Sequence, residues 1–161
     1  MEEWITLLKS NDYLGVKKYL KHGGNPNEVE ENGESVICFA LRYHCDSEIL
    51  DLLIENGADI HHVDDEGVSV FDVAVTYNNL PLIEKLINDG FDVNRATRRS
   101  GFTPLMGAVC YGRVDVIKKL LDMGVNIQSR DAYGLSAIDF ARKMHKKSIL
   151  ALLEGGKNGT D

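Results

Sequence analysis

Three adjacent residues, His44, Cys45 and Asp46, carry the side-chain types of a nucleophilic catalyst: an imidazole base, a thiol and an orienting carboxylate. A catalytic set must converge on one reacting atom, and adjacent loop residues point in different directions. The triplet therefore reads as a polar inter-helix loop, with an enzyme built around Cys45 as the less favoured reading. His61 and His62 raise metal binding, but neighbours in extended backbone face opposite ways. No third ligand stands at helical spacing to them. The glycines are spread along the chain and do not gather into a phosphate-cradling loop. Cys38, Cys45 and Cys110 are odd in number and have no CxxC spacing, which fits reduced thiols better than a disulfide framework or a zinc knuckle. The residue types thus imply no enzyme, cofactor or metal.

The elements that hold these residues recur. Gly33, Gly67, Gly101 and Gly134 each open the same phrase: GESVICFALRY, GVSVFDVAVTY, GFTPLMGAVCY and GLSAIDFARKM. A second row, Gly23, Gly57, Gly90 and Gly124, closes VKKYLKHGG, LDLLIENGA, IEKLINDGF and IKKLLDMGV. Ser35, Ser69, Thr103 and Ser136 stand where a helix N-cap belongs. Ser69 with Asp72 and Ser136 with Asp139 have capping-box spacing. Pro104 suits the first helical position, where its missing N–H costs nothing. Ala40, Ala74, Ala108 and Ala141 mark a position where helices approach closely. The second glycine row suits left-handed helix ends. Each repeat is then a helix–turn–helix followed by an extended finger. An extra residue is expected near His44–Ser47, between helices, and another within 95–100, in the third finger.

These phrases resemble the ankyrin repeat. TPLMGA at 103–108 departs from that family's TPLHxA signature only at Met106, and NGADIH at 56–61 and DGFDVN at 89–94 resemble its G-A-D-V-N phrase. The resemblance covers roughly residues 4–153. It implies an all-α ankyrin-repeat solenoid in one domain, 1–154, with repeats at about 1–28, 29–62, 63–96, 97–129 and 130–153. Residues 155–161 are expected to be a disordered tail. SVIC, SVFD and SAID lack the signature's Pro and His, which suggests looser packing in repeats two, three and five. Arg142, Lys143, Lys146 and Lys147 read as the solvent-facing surface of a terminal cap.

The resemblance also implies function. Ankyrin repeats meet protein partners on a concave surface of finger tips and first helices. Carried over by position, the partner-binding candidates are Glu31, Glu34 and Tyr43 in repeat two, and Asp65, Glu66 and Tyr77 in repeat three. In repeats four and five they are Arg98, Arg99, Phe102, Tyr111, Tyr133 and Met144. Tyr43, Tyr77 and Tyr111 form a row that serves either as contact surface or as inter-repeat packing. The reading is a protein-interaction module, monomeric when free. A dedicated inhibitor of a partner enzyme, or a structural spacer, are the alternatives.

Charge bears on the partner. Residues 1–80 hold 5 Lys/Arg and 16 Asp/Glu, a balance of −11; residues 81–161 hold 13 and 9, a balance of +4; together these make the net −7. This distribution argues against general nucleic-acid binding, which needs a basic stripe. It favours a partner with a basic patch for fingers one and two, and an acidic patch or peptide carboxylate for finger three. No apolar run approaches the roughly 20 residues that span a membrane. The acidic start, MEEWITLL, lacks the positive region of a secretory signal. A cytoplasmic protein is expected.

Overall fold

The computed structural model describes residues 1–158. Helices come in pairs, one pair per repeat: α1 Glu2–Lys9 and α2 Tyr13–Lys21; α3 Val36–Arg42 and α4 Ser47–Glu55; α5 Val70–Thr76 and α6 Leu80–Asn88. They continue with α7 Pro104–Cys110 and α8 Val114–Asp122, then α9 Ala137–Lys143 and α10 Lys147–Asn158. The fold is an all-α repeat solenoid. α10 runs past residue 153, so 155–158 are helical and not the expected tail; the rest of that tail, 159–161, lies outside the described residues.

The chain divides into two compact bodies, residues 1–77 and residues 78 onward. In the first, α1 packs on α2 and α3, α2 on α4, and α3 on α4 and α5. In the second, α7 packs on α8 and α9, and α10 on α8 and α9. α6 buries Leu82, Ile83 and Leu86.

Capping chemistry starts three of the first helices, α5, α7 and α9. Ser69, Thr103 and Ser136 accept from the N–H groups of Asp72, Met106 and Asp139, and each receives a return acceptor on its own N–H. That acceptor is a carboxylate Oδ2 in Asp72 (3.0 Å) and Asp139 (2.9 Å), but the thioether sulfur of Met106 at 3.3 Å. Ser35 differs from expectation. It is an N-cap without a side-chain cap bond, because its hydroxyl turns to the Cys38 sulfur at 3.5 Å. The suggestion of looser packing fails for repeats two and three: Ile37, Leu41, Phe71 and Val75 are all buried. Apolar volume, joined in repeat three by the capping box, holds these helices without the signature Pro and His.

The second helices close alike. Ala58, Phe91 and Val125 donate back to the carbonyls of Leu53, Leu86 and Leu120, with left-handed Gly57, Gly90 and Gly124 between. This six-to-one bond is the Schellman arrangement.

The fingers are narrow turns, closed by isolated antiparallel bridges at Val29–Ser35, Val63–Ser69 and Arg130–Ser136. The third, 95–103, forms no such bridge among the described residues. It carries the extra residue, and Arg98 where fingers two and four have the turn-forming Asp64 and Asp131. Neighbouring fingers are tied by backbone. Asp65 N–H donates to the Asn32 carbonyl (3.1 Å), and Ala132 N–H to that of Ser100 (2.8 Å).

That tie makes Gly33 a point of close approach. Its φ is +82°, and an added Cβ would lie 3.0 Å from the Asp65 backbone nitrogen. Gly57 has φ +94° but open space around it. Gly57→Ala should therefore cost about 1–2 kcal/mol, the left-handed penalty alone, and Gly33→Ala measurably more, read as shifts in urea midpoint. Equal losses would show that the fingers separate without cost.

Candidate functional site

The His44–Cys45–Asp46 triplet does not converge. His44 is left-handed (φ 53°), exposed, and sets its ring edge-on to Tyr77 at 5.5 Å. Cys45 turns inward, with its sulfur 3.2 Å from the Leu8 carbonyl. Asp46 stays exposed and accepts from the Asn11 amide at 2.8 Å. Burial, with Asp46 nearby, pushes the Cys45 thiol up to about 11, so it is protonated at neutral pH and a poor nucleophile. The extra residue in this turn serves to clip repeat two onto repeat one.

His61 and His62 separate too. His62 Nε2 lies 2.6 Å from the Gly33 carbonyl, another tie between fingers, while His61 is exposed. Among the described residues no group of three His, Cys, Asp or Glu side chains is placed to hold a metal. Within the same limits, no helix is long and apolar enough to cross a membrane.

In the first body, Glu31, Asp65 and Glu66 are exposed on the finger tips. Asp64 is spent on the turn: its Oδ1 accepts from the N–H groups of Glu66 (2.9 Å) and Val68 (2.8 Å). Glu34 is buried behind the tips, paired with Arg42 at 2.5 Å. Burial works to lower the Arg42 pKa, but Glu34 and a hydrogen bond that Arg42 donates to the Tyr77 hydroxyl outweigh it and hold the guanidinium above its ordinary value. Glu34, Arg42, Asp64 and Tyr77 thus line one cleft. Tyr43 stands apart from it, half-buried, with the Lys9 ammonium 5.7 Å from its ring centre and Phe39 stacked at 6.2 Å. Tyr43 and Tyr77 each touch a residue of the preceding repeat.

In the second body, the Arg98 guanidinium lies 5.0 Å over the half-buried Phe102 ring, which meets Phe140 edge-on at 5.5 Å. Arg99 is exposed. Tyr111, Met144 and Tyr133 are exposed apolar surface, Tyr133 most of all at 85%. Lys146 corrects the expected solvent-facing cap. It is half-buried and donates to the carbonyls of Val109 (2.9 Å) and Cys110 (2.7 Å), satisfying the end of α7. Asp139 has its pKa lowered, first by the backbone and hydroxyl bonds from Ser136, then by Arg130.

Sequence reasoning passed over the asparagines that bind repeat to repeat. Asn27 accepts from the Asp59 N–H (2.7 Å) and donates to the Gly57 carbonyl (2.8 Å); Asn94 accepts from the Asn126 N–H (2.8 Å). Their signal was present as the last letter of the finger-entry phrase.

Paired helices joined to turn-locked fingers, with charged and aromatic side chains exposed on them, define an all-α repeat protein. The chain belongs to the ankyrin-repeat family: the model described as ankyrin repeats (3 copies) matches it over residues 7–97, 44–131 and 73–161. Ankyrin repeats generally mediate protein–protein interaction. Among similar proteins is the putative ankyrin repeat protein FPV031 of fowlpox virus, 30% identical over 92% of this chain and 46% of that protein. Human ankyrin repeat and SOCS box protein 11 is 34% identical over 67% of this chain and 33% of its own length. The E3 ubiquitin-protein ligase hecd-1 of Caenorhabditis elegans is 33% identical over 65% of this chain and 4% of the ligase. The chain thus spans less than half of each of these relatives.

Proposed function

We infer that this protein recognises a protein partner through its finger tips and the first helices behind them. The observation that supports this most directly is the division of labour within a finger. In finger two, Asp64 locks the turn while Asp65 and Glu66 stay exposed. Charged groups on a pre-ordered turn lose less entropy on binding than the same groups on a loose loop. Tyr111, Tyr133 and Met144 offer the apolar area in which interface energy concentrates. The acidic first half supports steering of a basic partner. It also supports a second reading, an inhibitor that neutralises a basic enzyme. The cysteines are free thiols, which suits a reducing compartment such as the cytoplasm.

The test is a comparison of baits. Wild type and the Asp65→Lys, Glu66→Lys variant, both shown to be folded, capture partners from the source lysate. The partner held by wild type is then measured by surface kinetics. Its association rate should fall steeply with salt while dissociation changes little, and the variant should associate about tenfold or more slowly. A salt-independent association rate, or equal capture by both baits, would overturn the reading. If the partner is an enzyme, its assay with pure protein separates inhibitor from scaffold.

A further inference from the structure

We propose that the cleft in the first body receives one arginine side chain of the protein partner; this rests on the interaction reading above and names the chemistry that the partner must carry there. The cleft lies between fingers one and two, against α3 and α5, and encloses about 240 Å³. Pockets for whole small molecules run to roughly 300–1,000 Å³, so this one suits a single side chain.

Its charge selects the occupant. The lining holds two carboxylates, Glu34 and Asp64, and one guanidinium, Arg42. Each carboxylate has one oxygen in use. Glu34 Oε1 receives Arg42, and Asp64 Oδ1 receives two backbone N–H groups. Glu34 Oε2 and Asp64 Oδ2 take no hydrogen bond from the described residues. Both negative charges act on the Cys38 thiol in the lining, which burial and these carboxylates hold at about 11. Glu34 is only 9% exposed, so a cation meeting it there is less screened than one at the surface.

The wall selects arginine over lysine. The half-buried Tyr77 ring lines the cleft and is braced by His44 from the preceding repeat. A guanidinium is planar, weakly hydrated and stacks on aromatic faces, while an ammonium keeps its water. Its fork of donors also pairs bidentately with a carboxylate, which an ammonium cannot do. A partner carboxylate would meet Glu34 and Asp64 inside and the exposed Asp65 and Glu66 at the tip of finger two.

The test needs no partner. N-acetyl-arginine methylamide, its citrulline counterpart and its glutamate counterpart are titrated separately into the whole protein, followed by backbone amide resonances. The arginine probe should shift Glu34, Thr76 and Tyr77 saturably, and citrulline, equal in shape but uncharged, should bind at least tenfold more weakly. Glu34→Gln should weaken the arginine probe by a similar factor. The citrulline comparison stands even if that variant is destabilised by loss of the Arg42 pair. Equal binding of citrulline, preference for glutamate, or shifts confined to Asp65 and Glu66 would overturn the proposal. Should the probe ignore the cleft while the finger variant still controls capture, this inference falls alone and the interaction reading stands. A filled cleft with capture indifferent to the fingers would be the reverse case.

Discussion

Trp4→Ala is expected to remove about 3–5 kcal/mol of stability, the range for deleting a large buried aromatic. The indole is 0% exposed in α1, which packs on both α2 and α3. It meets Tyr19 edge-on at 4.9 Å, and its N–H donates to the Asn25 carbonyl at 3.0 Å. Truncation therefore opens a cavity and leaves the Asn25 carbonyl, where finger one begins, with only its bond from the Glu28 N–H. Trp4→Phe keeps most of the volume and should cost less, about 1–3 kcal/mol, mainly the lost hydrogen bond. Urea denaturation of the three proteins gives the ordering. A loss under about 1 kcal/mol for the alanine variant would mean that repeat one frays before the rest opens, as the nearest-neighbour energetics of solenoids permit.

Leu120→Ala should cost about 2–5 kcal/mol. Leu120 is 0% exposed on α8, whose buried face is Val116, Ile117 and Leu120 and which packs on α7 and α10. Its carbonyl also receives the Val125 N–H that closes the helix, so that strain at this residue would reach the exit turn. Full retention of thermal stability would place the core elsewhere. Leu121→Ala, one residue on at a half-buried position, should cost clearly less.

The fold was legible because its determinants are local and repeat. A hydroxyl before a short apolar run, an alanine at the helix crossing and a glycine at each exit are read within a dozen residues. Registered copies then reinforce one another. Ser69 with Asp72 and Ser136 with Asp139 are capping boxes as spaced. What escaped was set by contacts between repeats. Lys146 has the composition of a surface residue, and only the arrival of α7's free carbonyls makes it a half-buried cap. The His44–Cys45–Asp46 turn reads from sequence as a polar loop, but linear order does not show that one side chain points to Leu8, another to Asn11 and the third to Tyr77. Arg42 and Glu34 are eight residues apart, and Glu34 reads by position as an outward partner contact. Their pairing, and the cleft they share with Asp64, exist only once fingers one and two lie side by side.

The third residue of each inner helix is Cys38, Asp72, Met106 or Asp139, and at three of the four positions the side chain returns a lone pair to the N-cap N–H. The slot thus screens for an acceptor atom at a given place and is nearly blind to which element supplies it. Such degeneracy lets a repeat drift far from its family signature in spelling while its helix still starts at the same residue. It also frees the finger beside it to vary under a different selection, that of whatever the finger touches.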